Sequence, residues 1–157
     1  MLIGEQGKLR TQMTDVESAS DIEAIKILMA RYFRYMDTKQ WEDLRNLFMP
    51  DVTMSAPDDV PGKTRTTGAD HLSEVIRTVL DGAVSIHRGF MPEVQLIDIA
   101  FAKAVWAMED VVSYPDNTSR NFSGSGHYLV EYRRTPDGWK IQSLTLRRLR
   151  LCRGPMA

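Results

Sequence analysis

Between residues 20 and 37, Ile22, Ile25, Leu28, Met29, Tyr32, Phe33 and Met36 recur at intervals of three and four. That is the period of a helix with one buried face. Ser20 and Glu23 have the spacing of a capping box, which sets the expected start of this helix at Ser20. Asp37 falls one turn beyond Phe33, where the pattern asks for an apolar residue. Its carboxylate is therefore expected on the flank of the buried face, where it needs a partner or a proton. Trp41, Leu44, Leu47 and Phe48 form a second, shorter helical stripe that Pro50 is expected to end. Residues 52–54 and 63–67 read as two brief strands around a turn rich in Pro and Asp. After Gly68 and Asp70 a third helical stripe runs through Leu72, Val75, Ile76, Val79 and Leu80, and Gly82 closes it.

Beyond Gly82 the period changes to two. Residues 84–99, 101–114, 122–133 and 139–151 are long segments rich in β-branched and aromatic side chains, and Thr135-Pro136-Asp137-Gly138 is a hairpin turn. Three helices followed by four long strands predict an α+β domain, with the N-terminal helices packed in the concave face of a curved, mainly antiparallel sheet. The expected organisation is a flexible arm over 1–17, one domain over 18–151 and a short tail over 152–157.

At 157 residues the chain supports one core. Its net charge of −1 gives no reason to expect a nucleic-acid groove, and only Arg147, Arg148, Arg150 and Arg153 form a local basic cluster. The lone Cys152 has no intramolecular partner, and no Cys and His set has zinc-site spacing, so no metal is expected. With neither a secretory apolar segment nor a membrane-length run, the expectation is a cytoplasmic protein in a reducing setting.

Ionisable residues interrupt three of the apolar faces. Alternation along 101–114 puts Asp110 in a row with Ala104, Trp106, Met108 and Val112. His87 shares its face with the small residues Ser85 and Gly89, and Arg148 follows Leu144 and Leu146. Each has a plainer reading: His87 as a hydrogen-bonded filler, Asp37 as a solvated helix end, Arg148 as a strand-edge cation, Tyr32 as core, and Asp110 as half of a salt bridge. Tyr32 and Asp37 are also about 140° apart on an ideal helix, so only a bend or the helix end brings both to one pocket. Gly124-Ser125-Gly126 reads as a bend in the sheet, and His71 and His127 as solvated.

The stretches DIEAIKILMARYFRYMDTKQWEDL, SIHRGFMPEVQLID, VWAMED and GHYLVEYRRTPDGWKI together resemble the SnoaL-like group of the nuclear-transport-factor-2-like superfamily. The pattern is closest to bile-acid 7-alpha-dehydratases and is also similar to scytalone dehydratases. The resemblance implies a cone-shaped α+β barrel with a deep apolar pocket and no metal or organic cofactor. It assigns catalytic roles to Tyr32, Asp37, His87 and Asp110, and a pocket role to Arg148, with the register of that arginine open. Phe33, Met36, Phe90, Trp106, Met108, Tyr128 and Leu146 are the expected pocket lining. Phe90 departs from the family pattern, as does the segment 113–123.

On this resemblance the expected function is that of a cofactor-independent dehydratase-type lyase or an isomerase. It would abstract a proton from a hydrophobic polycyclic carbonyl compound of steroid, terpenoid or polyketide type. Asp37 would orient His87 as base, and Tyr32, with a protonated Asp110, would donate to the leaving hydroxyl or enolate. Arg148 would pair with a carboxylate. The alternatives are a non-catalytic binding protein or enzyme subunit of the same fold, an epoxide hydrolase, and a polyketide cyclase. Phe101, Val105, Ala107 and Val111 on the opposite sheet face lead to a homodimer or homotrimer as the expected assembly.

Overall fold

The computed structural model describes residues 14–59, 62 and 65–155. Its elements run α1 (Asp15–Asp37), α2 (Trp41–Asn46), β1 (Phe48–Ser55), β2 (Thr66–Thr67), α3 (Ala69–Leu80), β3 (Val84–Leu96), β4 (Phe101–Ser113), β5 (Phe122–Thr135) and β6 (Gly138–Arg153), with a 3-10 turn at Thr118–Arg120. The strands form one open, curved sheet in the order β2-β1-β6-β5-β4-β3. Every pairing is antiparallel except that of β1 with β6. This is the α+β cone expected from the sequence. No helix among the described residues is long and apolar enough to cross a membrane.

α1 starts earlier than expected. Thr14 is its N-cap, and the capping box joins Thr14 to Glu17, leaving Ser20 exposed inside the helix. Both spacings satisfy the same rule, and the one that forms its reciprocal hydrogen bonds is Thr14 with Glu17. The end of the stretch expected as an arm is thus helical, while residues 1–13 of it lie outside those described. The stripe itself begins with Asp21, not Ile22: Asp21, Ile25, Leu28, Met29, Tyr32, Phe33 and Met36 are the buried residues of α1. Asp21 is satisfied there by Trp139, whose Nε1 donates to Oδ1 at 3.0 Å, and by an ion pair with Arg134.

Pro50 does not end α2 but lies inside β1. It is tolerated there because the β1–β6 register shifts between Phe48 and Thr53, so the missing N–H falls in the irregular stretch. Of the expected strand over 63–67, Thr66–Thr67 pair with β1, while 63 and 64 lie outside the described residues. The Thr135–Gly138 hairpin forms as expected, with Gly138 at φ 102°. β6 continues through Arg153, into the stretch expected as a tail.

The core lies between α1 and the concave sheet face, where Ala104, Trp106 and Met108 of β4, Tyr128, Val130 and Tyr132 of β5, and Ile141, Leu144 and Leu146 of β6 are buried. Along β6 the inward parity changes between Ile141 and Leu144. The β5–β6 register shifts at that point, because Glu131 pairs with Ser143 while Tyr132 pairs with Ile141. This bulge turns Arg148, rather than Arg147, toward the interior.

Candidate active site

A cavity of about 210 Å³ opens between α1, α3 and the concave face. Leu72, Val75, Ile76, Val79 and Leu80 of α3 form its apolar wall. Val79, a member of the α3 stripe, is solvent-exposed. Opposite that wall, Tyr32, His87, Asp110, Tyr128 and Arg148 line the cavity together.

Asp37 is the last residue of α1, so its side chain leaves the helix where the chain departs from it, and meets β3. Its Oδ1 lies 2.6 Å from Nδ1 of His87, and its Oδ2 accepts from the His87 backbone N–H at 2.9 Å. Ser85, one step back on the same strand face, donates its hydroxyl to Oδ1 at 3.1 Å. Burial alone would raise the Asp37 pKa, but the His87 ring and backbone hydrogen bonds, the imidazole charge and Ser85 together lower it. Asp37 itself stays behind the imidazole. With Nδ1 committed to Asp37, Nε2 is the ring nitrogen left for a ligand.

His87 pairs directly across the strands with Asp110. Asp110 is gripped by Arg148, with Nη1 2.9 Å from Oδ1 and Nη2 2.8 Å from Oδ2. Arg148 also donates to Asp59 at 2.7 Å and 2.9 Å. To reach Asp110 its side chain crosses β5 at Gly124, where a Cβ would lie 2.6 Å from Nη1. Desolvation works against the guanidinium charge, but the hydrogen bonds and charges of Asp59 and Asp110 outweigh it and raise the Arg148 pKa. The expectation of a protonated Asp110 is corrected here, because both of its oxygens accept from a cation. The carboxylates that Arg148 pairs with inside the cone are those of Asp59 and Asp110.

Tyr32 and Tyr128 are both buried, with ring centroids 6.0 Å apart edge to face. Burial, and to a smaller degree the field of Asp110, pushes the Tyr32 phenol up to about 12, against the opposing effect of Tyr128. Burial raises Tyr128 well above its ordinary value, helped by Tyr32 and Asp110 and opposed by Arg148. Both phenols thus keep their protons at neutral pH, and they hydrogen-bond to each other.

Met36 and Leu146 line the cavity as expected. Phe33, Trp106 and Met108 do not: the Phe33 ring covers Gly89, Trp106 Nε1 donates to Tyr132 at 3.0 Å, and Met108 packs under Arg148. Phe90 is exposed on the convex side, since His87 and Gly89 take the inward parity of β3. The sequence reading missed Asp59, which looked like turn chemistry, and Lys39, which bonds to Ser85. Arg65 also lines the cavity. Among the described residues no group of three or more His, Cys, Asp or Glu could hold a metal ion.

Residues 17–145 match the SnoaL-like domain family. Among solved structures, the Kfla4162 protein of Kribbella flavida superposes with a TM-score of 0.79 at 21% identity, covering 86% of this chain and 95% of that one. A Novosphingobium aromaticivorans protein assigned as a scytalone dehydratase gives 0.79 at 18% identity, covering 92% and 94%. Hexachlorocyclohexane dehydrochlorinase LinA-type3 from Novosphingobium barchaimii gives 0.74 at 16%, covering 89% and 94%. At these identities the likeness to solved structures concerns the fold. The match over residues 17–145 makes this chain a member of the SnoaL-like domain family.

Proposed function

We propose that this protein is a cofactor-independent lyase, acting as a dehydratase, or an isomerase, and that it removes a proton from a hydrophobic ring compound carrying a carbonyl. The observation that carries the reading is the 2.6 Å contact between His87 Nδ1 and Asp37 at the wall of the cavity. Asp37 fixes the tautomer and favours the imidazolium that forms when Nε2 takes the proton. Tyr32 and Tyr128, hydrogen-bonded to each other, then present a buried phenol pair that stabilises charge developing on the carbonyl oxygen or leaving hydroxyl. Asp110 and Arg148 act as a fixed ion pair beside them. The reaction class is the one named for the scytalone dehydratase-like neighbour, and the fold alone does not bring it here.

The substrate class is a neutral carbonyl compound of polyketide, terpenoid or steroid type. A volume of about 210 Å³ lies below the roughly 300–1,000 Å³ of ordinary ligand pockets and favours its compact members. On the convex sheet face Ile86, Phe90 and Leu129 remain exposed, which supports self-association there.

The test screens β-hydroxy carbonyl members of these classes by thermal shift, then follows each hit by mass spectrometry for loss of water and by exchange in heavy water for proton abstraction. Loss of water, or deuterium uptake next to the carbonyl, supports the reading. Ligands that raise Tm and return unchanged in both assays would instead support a binding role.

A further inference from the structure

Lys39 lies two residues beyond α1, and the reading above gives it no task. Its backbone sits at φ 60°, a left-handed conformation that L side chains rarely adopt. Glycine would adopt it freely. The lysine side chain instead returns to β3, where Nζ donates to Ser85 Oγ at 2.9 Å. Ser85 Oγ donates in turn to Asp37 Oδ1 at 3.1 Å, the same oxygen that meets His87 Nδ1 at 2.6 Å. Ammonium, hydroxyl, carboxylate and imidazole thus form one hydrogen-bonded chain that ends at the cavity.

The charges around that chain show what it does. Asp110 faces His87 from β4, but Arg148 of β6 neutralises it and binds Asp59 as well. Tyr32 of α1 and Tyr128 of β5 are neutral phenols, and α3 presents only apolar side chains to the cavity. Arg65 completes the ionisable groups of the lining. Among the described residues Lys39 is the cation joined to Asp37 through Ser85. Left unopposed, a carboxylate this close favours the protonated imidazole, and an imidazole that already holds its proton is not a base. Desolvation lowers the Lys39 pKa, and the Asp37 charge opposes that shift, so the ammonium and the carboxylate feel one another.

We propose that Lys39, acting through the Ser85 hydroxyl, is a positioning residue that draws negative charge away from Asp37 and keeps the His87 imidazole free to accept a proton. The inference rests on the function proposed above, but its test needs no substrate.

Full-length protein labelled with ¹⁵N-histidine is titrated by NMR as wild type, Lys39→Met, Lys39→Arg and Ser85→Ala, with His87→Gln used to assign the His87 ring. The His87 midpoint is expected to move up by about half a pH unit or more in Lys39→Met and Ser85→Ala. In Lys39→Arg it stays at the wild-type value, and His71 and His127 stay put throughout. An unmoved His87 midpoint in Lys39→Met, with or without a lowered Tm, would reduce Lys39 to a helix-end residue and overturn the proposal. A shift in Lys39→Arg equal to that in Lys39→Met would overturn it too. Should Lys39→Met fail to fold, Lys39→Gln, which also removes the charge and keeps Ser85, decides between the same two results. A shifted midpoint in a protein that catalyses nothing leaves the charge relay standing and removes only the enzyme reading.

Discussion

Arg148 holds Asp110 through both carboxylate oxygens, at 2.9 and 2.8 Å, reaching across an intervening strand to do so. Both side chains are 4% exposed. Removing one partner leaves a buried charge unanswered, which costs about 3–5 kcal/mol. Arg148→Met is therefore expected to lower stability by that order in urea titrations. Adding Asp110→Asn to Arg148→Met is expected to recover part of the loss, because the double variant buries one charge fewer. A double variant no more stable than Arg148→Met would contradict the pairing.

Gly124 gives the guanidinium its path. A methyl group there would lie 2.6 Å from Arg148 Nη1 and 2.9 Å from the Arg150 carbonyl oxygen. The second of those atoms is backbone and yields little. Gly124→Ala is expected to cost about 1–3 kcal/mol through overpacking, read as a lowered urea midpoint.

Asp37 makes stability depend on pH with a definite sign. Its carboxyl is lowered in the folded protein, because the His87 and Ser85 hydrogen bonds outweigh burial. The unfolded chain, with a carboxyl near roughly 3.9, binds the proton first as pH falls. The stability this group contributes is therefore complete above that value and is lost as pH drops through the folded-state pKa. Urea midpoints of wild type and Asp37→Asn are expected to be furthest apart near pH 6 and to converge toward pH 3. A gap that stays constant would contradict the assignment.

Asp21 serves the fold and not the site. Its carboxylate takes the Trp139 Nε1 proton at 3.0 Å and pairs with Arg134, which lies 4.7 Å over the Trp139 ring. Asp21→Ala strands the indole donor and is expected to cost about 1–3 kcal/mol. The His87 NMR titration is expected to be unchanged in that variant.

Much of this was legible in the sequence, because alternation and helical spacing constrain faces strongly. Asp37, His87, Asp110 and Arg148 were each visible as a polar residue on an apolar face, and all four converge. What stayed hidden was set by features that spacing does not carry. The choice between Arg147 and Arg148 depended on a bulge near Gln142, which alternation from Trp139 and Ile141 does not reveal. Asp110 was readable as half of a salt bridge, but its partner was not, because no local pattern shows that a cation crosses from two strands away. Phe90 went astray on parity alone, since an inward His87 obliges an outward Phe90. Asp59 had only turn chemistry around it, and its role came from a partner 89 positions along the chain. Lys39 left no signal, because its task depends on a left-handed backbone that turns the side chain toward Ser85.

The central claim is that His87 is the base. The direct measurement is turnover of a substrate identified in the heavy-water screen by wild type and by His87→Ala, with circular dichroism and Tm confirming that the variant is folded. General-base removal is expected to lower kcat by at least about a hundredfold and to abolish deuterium exchange next to the carbonyl. Undiminished turnover by folded His87→Ala would contradict the account.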